Sequence, residues 1–119
     1  MTTTETDSIQ LPARPSGAEQ VWRLTIVRHP DPGLVGIGAP VGEGAALGRS
    51  SDFLVGALDH GRVSREHAQL DVMPGGGLRL RDLGSRNGTT VDGDTVDGER
   101  EVTAGAVVGM GPVLLLLHR

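Results

Sequence analysis

The sequence predicts an all-β domain, an antiparallel sandwich or barrel of many short strands, and three observations carry that reading. Apolar and polar residues alternate over short stretches, the two-residue period of a strand with one buried face. The 119 residues include 19 glycines and 7 prolines, so turn signals recur at short intervals. No stretch sustains a helical period uninterrupted by Gly or Pro. Short strands with frequent turns fit a sandwich or a barrel and little else.

Taken in order, residues 1–20 are rich in Thr, Pro, Ser and Glu with scattered apolar residues, too few to offset the entropy of ordering them. They are expected to form a flexible tail, with one domain over residues 21–119. Trp22, Leu24 and Ile26 alternate with Arg23, Thr25 and Val27, which predicts the first strand. The run His29-Pro30-Asp31-Pro32-Gly33 stops it. Further short strands are expected at 34–37, 45–47, 53–55, 67–72, 78–83, 89–91, 107–110 and 113–117. Met73-Pro74-Gly75-Gly76-Gly77 reads as a hairpin link, and Asp92-Gly93 as a tight turn. The run Leu114-Leu115-Leu116-Leu117 is most simply a strand buried on both faces. The chain stops almost directly after it, as a domain cut from a longer protein would.

Composition narrows the function. A chain of this length holds one domain with a real core. The absence of Cys removes disulfides, thiolate metal sites and Cys nucleophiles, and fits a reducing compartment, so the expected location is cytoplasmic. No apolar run approaches the roughly 20 residues of a bilayer span, and no membrane contact is expected. A net charge of −4 argues against a nucleic-acid surface. All 11 basic residues are Arg, whose planar fork grips phosphate oxygens two at a time, although codon bias accounts for the same absence of Lys.

Three clusters lie within this alternating sequence: Leu47-Gly48-Arg49, then Val63-Ser64-Arg65-Glu66-His67-Ala68, then Asp82-Leu83-Gly84-Ser85-Arg86-Asn87-Gly88-Thr89. Each places a guanidinium, hydroxyl or amide at or beside an expected loop, a set of donors suited to a tetrahedral dianion. In order and spacing they resemble the forkhead-associated (FHA) domain family, over about residues 21–118. That resemblance implies a twisted β-sandwich of two mostly antiparallel sheets with about 10–11 short strands. It also implies loops at one end that bind phosphothreonine peptides.

The resemblance assigns roles residue by residue. Arg49 is implied to grip the phosphate, where an isolated Arg would otherwise pair with a nearby carboxylate. Ser64 is implied to donate its hydroxyl to a phosphate oxygen, its bland role being a turn cap; Arg65 adds a contact from the same loop or remains solvated. His67 beside Ser64 invites a nucleophile-and-base reading, but the family's His here is structural, and Gly48 and Gly88 are likewise support for the site. Asn87 is implied to bond the backbone of the bound peptide. Many members carry Thr or Ser just before that Asn; here Arg86 stands there with Ser85 one position earlier, and either is able to reach the phosphate. Arg62 matches a position that in some members reads the side chain three residues beyond the phosphothreonine, which favours an acidic residue by charge. Departures elsewhere are Ala104-Gly105-Ala106 where Gly-Asp is common and Asp92-Gly93 where Asn-Gly is common.

The function expected is a phosphothreonine-peptide binding module that mediates phosphorylation-dependent protein-protein interaction in Ser/Thr kinase signalling, as the sensor of a larger regulatory protein of the kind that includes transcription regulators. The alternative is a phosphorylation-independent interaction or assembly module of the same fold. No catalytic role, cofactor or metal is expected. A hydrolase built on Ser64, His67 and Asp82 lacks the Gly-x-Ser-x-Gly elbow, His29, His60, His67 and His118 show no ligand spacing, and Asp92, Asp94 and Asp97 lack the calcium-loop pattern. The expected partner is a phosphothreonine-bearing protein. A second candidate ligand is the chain's own tail, since Thr4 has Asp7 three residues on, although a tail with no role is the simpler account.

Overall fold

The computed structural model describes residues 22–41, 45–49 and 57–119. The expected tail with Thr4, and the expected strand at 53–55, lie outside the described residues. Ten strands are present among those described: β1 (Arg23–Arg28), β2 (Gly38–Pro40), β3 (Ala45–Leu47), β4 (Ala68–Val72), β5 (Leu78–Asp82), β6 (Thr89–Val91), β7 (Asp94–Thr95), β8 (Glu99–Val102), β9 (Val107–Met110) and β10 (Val113–His118). They build two sheets, one in the order β2-β1-β10-β9-β6-β7 and the other β3-β4-β5-β8. Every pairing is antiparallel. The fold is the all-β sandwich that the turn-rich alternation predicts.

The core lies between the sheets because alternate side chains of each strand point inward. Leu24, Ile26, Val91, Val108, Met110, Leu115 and Leu117 come from the larger sheet; Leu47, Ala68, Leu70, Leu78, Leu80 and Val102 come from the smaller. Trp22 closes one end, and its indole N–H donates to the Gly76 carbonyl at 3.0 Å. That bond ties the start of β1 to the β4–β5 hairpin. The hairpin itself forms over the expected Met73 to Gly77 link, with Met73 N–H on Gly77 O at 2.7 Å.

The remaining differences from expectation have local causes. Residues 34–37 are not a strand. Asp31 accepts from the Gly33 amide at 2.9 Å and caps a 3-10 turn at Pro32–Leu34, so the chain first bonds β1 at Gly36 and Ile37, both to Ile26, and the ladder itself starts at Gly38. The short edge strands β7 and β8 were not foreseen, because Glu99, Arg100 and Glu101 are exposed and only Val102 is buried. A charged edge of this kind resists pairing with other chains and hides the apolar alternation that reveals inner strands. In β10 the leucine run is buried on one face only. Val113, Leu115 and Leu117 are inward, while Leu114 and Leu116 are half-buried on the outer face. Asp92 and Gly93 both take positive φ, 52° and 88°, as a tight β6–β7 turn requires.

Candidate functional site

The three sequence clusters meet at one end of the sandwich, and His67 is where they join. It is fully buried. Its backbone N–H donates to Leu47 O at 3.0 Å and its carbonyl accepts from Leu83 N–H at 3.0 Å. Its Nδ1 accepts from the Ser64 backbone N–H at 2.9 Å, and its Nε2 lies 2.8 Å from Gly88 O. Because a carbonyl only accepts and an amide only donates, these partners assign the neutral tautomer with the proton on Nε2. Both ring nitrogens are therefore committed to backbone groups. Ser64 Oγ accepts instead from the Arg86 N–H at 2.9 Å, so Ser64 and His67 do not form a nucleophile-and-base pair.

Gly48 makes the join sterically feasible. A Cβ on this residue would stand 2.1 Å from Arg65 O and 3.0 Å from His67 N, so the strand end and the loop before β4 touch backbone to backbone. Arg49 follows, its N–H held by Ser64 O at 2.9 Å. That bond holds the Arg49 backbone against the Ser64 loop.

The loop at 83–88 is organised by Asp82 at the end of β5. One carboxylate oxygen accepts the Ser85 hydroxyl at 2.6 Å and the Thr89 hydroxyl at 2.7 Å. The other accepts the amides of Gly84 at 3.1 Å and Ser85 at 3.2 Å. Burial pushes this carboxyl up, but the Ser85 and Thr89 hydroxyls and the two amides outweigh it and hold Asp82 below its ordinary value. Sequence reasoning missed the structural role of Asp82 and Thr89. The available signal was an Asp followed by Gly-Ser, the pattern of an aspartate that caps its own turn. Asn87 then spans to the other loop, donating from Nδ2 to Arg62 O at 2.9 Å across 25 residues of sequence.

A pocket of about 350 Å³ results, lined by Arg49, Gly61, Val63, Ser64, Arg65, Arg86 and Asn87. It brings together five of the seven residues singled out as peptide-binding. Ser85 is not among its lining residues, because its hydroxyl is held by Asp82; Arg86 is. Arg62 does not line the pocket either, but its backbone supports Asn87 there. Among the described residues no carboxylate lines the pocket, and the ion pairs Arg79–Glu99 and Arg81–Asp71 are elsewhere. Three arginines, a serine and an asparagine thus share one pocket, an arrangement suited to an anion with several acceptor oxygens. Among the described residues no group of three or more His, Asp or Glu is placed to hold a metal ion. No helix among them is long and apolar enough to cross a membrane.

The Asp82 network predicts an acid-sensitive loop. With a depressed folded-state value, its contribution to stability is complete above the unfolded carboxyl value of about 3.9 and is lost as pH falls through the folded value. Protection of the Gly84 and Ser85 amides from hydrogen exchange is expected to hold at pH 5 and to decline below about pH 4. The decline should be absent in Asp82→Asn, which has no charge to lose. Wild-type protection that stays constant to the acid limit of the folded state would contradict this account.

Comparison with known proteins agrees with the architecture. The FHA domain family model matches residues 45–111, more than half of the chain. A solved FHA domain from a structural and functional study of phosphothreonine-dependent FHA interactions is 28% identical, with 83% of this chain and 96% of that one covered at a TM-score of 0.68. The FhaA FHA domain, solved in complex with the intracellular domain of Rv3910, is 30% identical over 82% of this chain and 99% of that one, with a TM-score of 0.66. The FHA domain of CT664 from Chlamydia trachomatis shares the fold at a TM-score of 0.70, with 24% identity and coverage of 83% and 97%. No curated protein matches the chain. The chain belongs to the FHA domain family.

Proposed function

We propose that this chain is a phosphothreonine-peptide binding module that recruits phosphorylated proteins in a Ser/Thr kinase pathway. The observation that carries the reading is the pocket itself, where Arg49, Arg65, Arg86, Ser64 and Asn87 converge. In it Arg49 and Arg86 take the phosphate oxygens, with Arg65 adding charge from the adjoining loop. Ser64 Oγ already accepts from Arg86 N–H, which leaves its own proton to donate to the phosphate. Asn87 keeps its amide oxygen and second N–H for the peptide backbone, having used one N–H on Arg62 O. Arg62 stands behind it to favour an acidic residue further along the peptide. Ser85 supports the loop through Asp82 and makes no peptide contact.

The magnitudes fit recognition without chemistry. A hydrogen bond to a charged group contributes about 1.5–3 kcal/mol net, so three or four account for much of the roughly 8 kcal/mol of a micromolar complex. A relative 28% identical to this chain comes from a study of phosphothreonine-dependent interactions, which supports the same ligand class here.

The test is a titration of a degenerate phosphothreonine peptide library and its unphosphorylated twin against the wild type and Arg49→Ala. Phosphate-dependent binding is expected, weakened about 30-fold or more in the variant, as loss of one charge-assisted contact implies. Affinity should also fall below about pH 6, where the phosphate takes up its second proton, and with added salt. A protein partner bound equally well by wild type and Arg49→Ala would move the assignment to a phosphorylation-independent assembly module.

A further inference from the structure

The chain holds a single asparagine, Asn87, and a glycine follows it. Asparagine is among the thermolabile residues, because its side-chain amide is lost when the next backbone nitrogen attacks it. A following Gly has no side chain to screen that nitrogen, and here the fold also leaves it open. Asn87 is exposed and Gly88 half-buried. Gly88 takes a φ of 84°, and a Cβ built on it would meet nothing nearer than Thr95 Cγ2 at 4.0 Å. Its carbonyl is held by His67 Nε2 at 2.8 Å, but its N–H donates to no group among the described residues. The Asn87 side chain is held by one bond, from Nδ2 to Arg62 O at 2.9 Å, in an exposed position.

The neighbouring side chains favour the attack. It begins when the Gly88 N–H gives up its proton, and negative charge then passes to Oδ1 of Asn87 in the tetrahedral intermediate. Arg86 adjoins Asn87 in sequence, and Arg49 and Arg65 line the same pocket. Nearby cations stabilise both of these anions. A pocket suited to an anion from outside thus also favours one formed within the chain.

We propose that Asn87 is a self-modification site, converted in the folded chain to aspartate and isoaspartate through a cyclic imide. The deprotonated Gly88 nitrogen bonds to Asn87 Cγ, the Cγ–Nδ2 bond breaks, and Nδ2 leaves as ammonia with a proton from water. Water then opens the imide. Cleavage between the nitrogen and Cγ yields aspartate, and cleavage between the nitrogen and the backbone carbonyl carbon of residue 87 yields isoaspartate. Either product lacks the Nδ2 donor that Arg62 O accepts and adds a negative charge to the pocket lining. Isoaspartate also lengthens the backbone just before Gly88, whose carbonyl is the partner of His67 Nε2. On the phosphothreonine reading proposed above, conversion is a one-way loss of affinity through like-charge repulsion. A bound peptide, by engaging the Asn87 amide and the arginines, delays it. The conversion itself does not depend on that reading.

Intact mass and fragment sequencing of the full, ligand-free chain, aged in mildly alkaline buffer under native conditions, test the site. Exchange of one amide for an acid is expected at Asn87, at a rate proportional to hydroxide, with isoaspartate methyltransferase labelling the same residue. Asn87→Gln should keep its mass, because its longer side chain must close a larger ring. The Asp-Gly pairs at Asp92 and Asp97 have no amide to lose, so isomerisation there leaves the mass unchanged. A saturating phosphothreonine peptide should slow conversion at least about tenfold while its unphosphorylated twin does not. The aged chain, like Asn87→Asp, should bind that peptide at least about tenfold more weakly than fresh chain. Conversion in a chain that binds no peptide when fresh would reject the phosphothreonine reading and uphold the site. A native chain that keeps its mass while the same chain in urea converts would show that the fold closes off the attack, and overturns the proposal. An equal mass gain in Asn87→Gln overturns it too, since the change then lies at a glutamine. A fully converted chain that binds as tightly as fresh chain would reject the loss of affinity.

Discussion

Replacing Gly48 by Ala is expected to lower stability by about 3 kcal/mol or more, the largest effect of any single methyl group added near the site. The Cβ would stand 2.1 Å from Arg65 O and 2.8 Å from Arg65 C, both backbone atoms that no rotamer change can move. Relief requires β3 to separate from the loop before β4. That separation stretches the Arg49 N–H to Ser64 O bond at 2.9 Å and the His67 N–H to Leu47 O bond at 3.0 Å. For a domain of this size the loss corresponds to a melting temperature lower by roughly 10–20 °C. Phosphopeptide affinity should fall with it, because Arg49 hangs on the displaced strand end. Thermal melts and peptide titration on the purified variant check both. A melting temperature within a few degrees of wild type would mean that the close approach is easily relaxed and that Gly48 has a lesser role.

This contact also shows what a sequence can and cannot reveal about the site. Gly48, Ser64, His67 and Asn87 stand out in the sequence because each meets a requirement that few residue types satisfy: a missing Cβ, a small hydroxyl, a ring with one donor and one acceptor, an amide able to bridge. Their neighbours are less constrained. Ser85 and Arg86 read as equivalent candidates from sequence, and the difference between them is set by Asp82, which takes the Ser85 hydroxyl at 2.6 Å and leaves Arg86 in the pocket lining. The Asn87 bond to Arg62 O joins residues 25 apart, and no local pattern announces it. The inner strands were legible because burial imposes alternation on them, as at Leu78 and Leu80 in β5. The edges were not: β8 keeps Glu99, Arg100 and Glu101 in water, and the strand expected at 34–37 gives way to a turn capped by Asp31. The outer face of β10 was hidden for the opposite reason. Leu114 and Leu116 look like core residues in sequence, and only the register of β10 places them outside.

Replacing His67 by Phe is expected to separate packing from hydrogen bonding at the centre of the site. Phe fills a similar volume but offers nothing to the Ser64 N–H at 2.9 Å or the Gly88 carbonyl at 2.8 Å. Leaving two partly buried backbone groups without partners costs about 2–4 kcal/mol. The effect on the ligand follows from geometry. The Ser64 loop and the loop at 83–88 are joined by the His67 ring, by Arg86 N–H on Ser64 Oγ and by Asn87 Nδ2 on Arg62 O. The latter two bonds come from exposed residues, so the buried ring is the more rigid link. Without it the donors around the pocket must be ordered by the peptide itself, and affinity should fall at least about tenfold at a temperature where the variant is folded. His67→Ala should be less stable still, since it adds a cavity to the same two losses. Ser64→Ala offers the contrast: it removes the hydroxyl from the pocket while His67 keeps both of its ring partners, so its loss should appear in affinity with little change in melting temperature. A folded His67→Phe that binds phosphopeptide as tightly as wild type would show that the two loops hold their positions without the ring, and would confine His67 to stability.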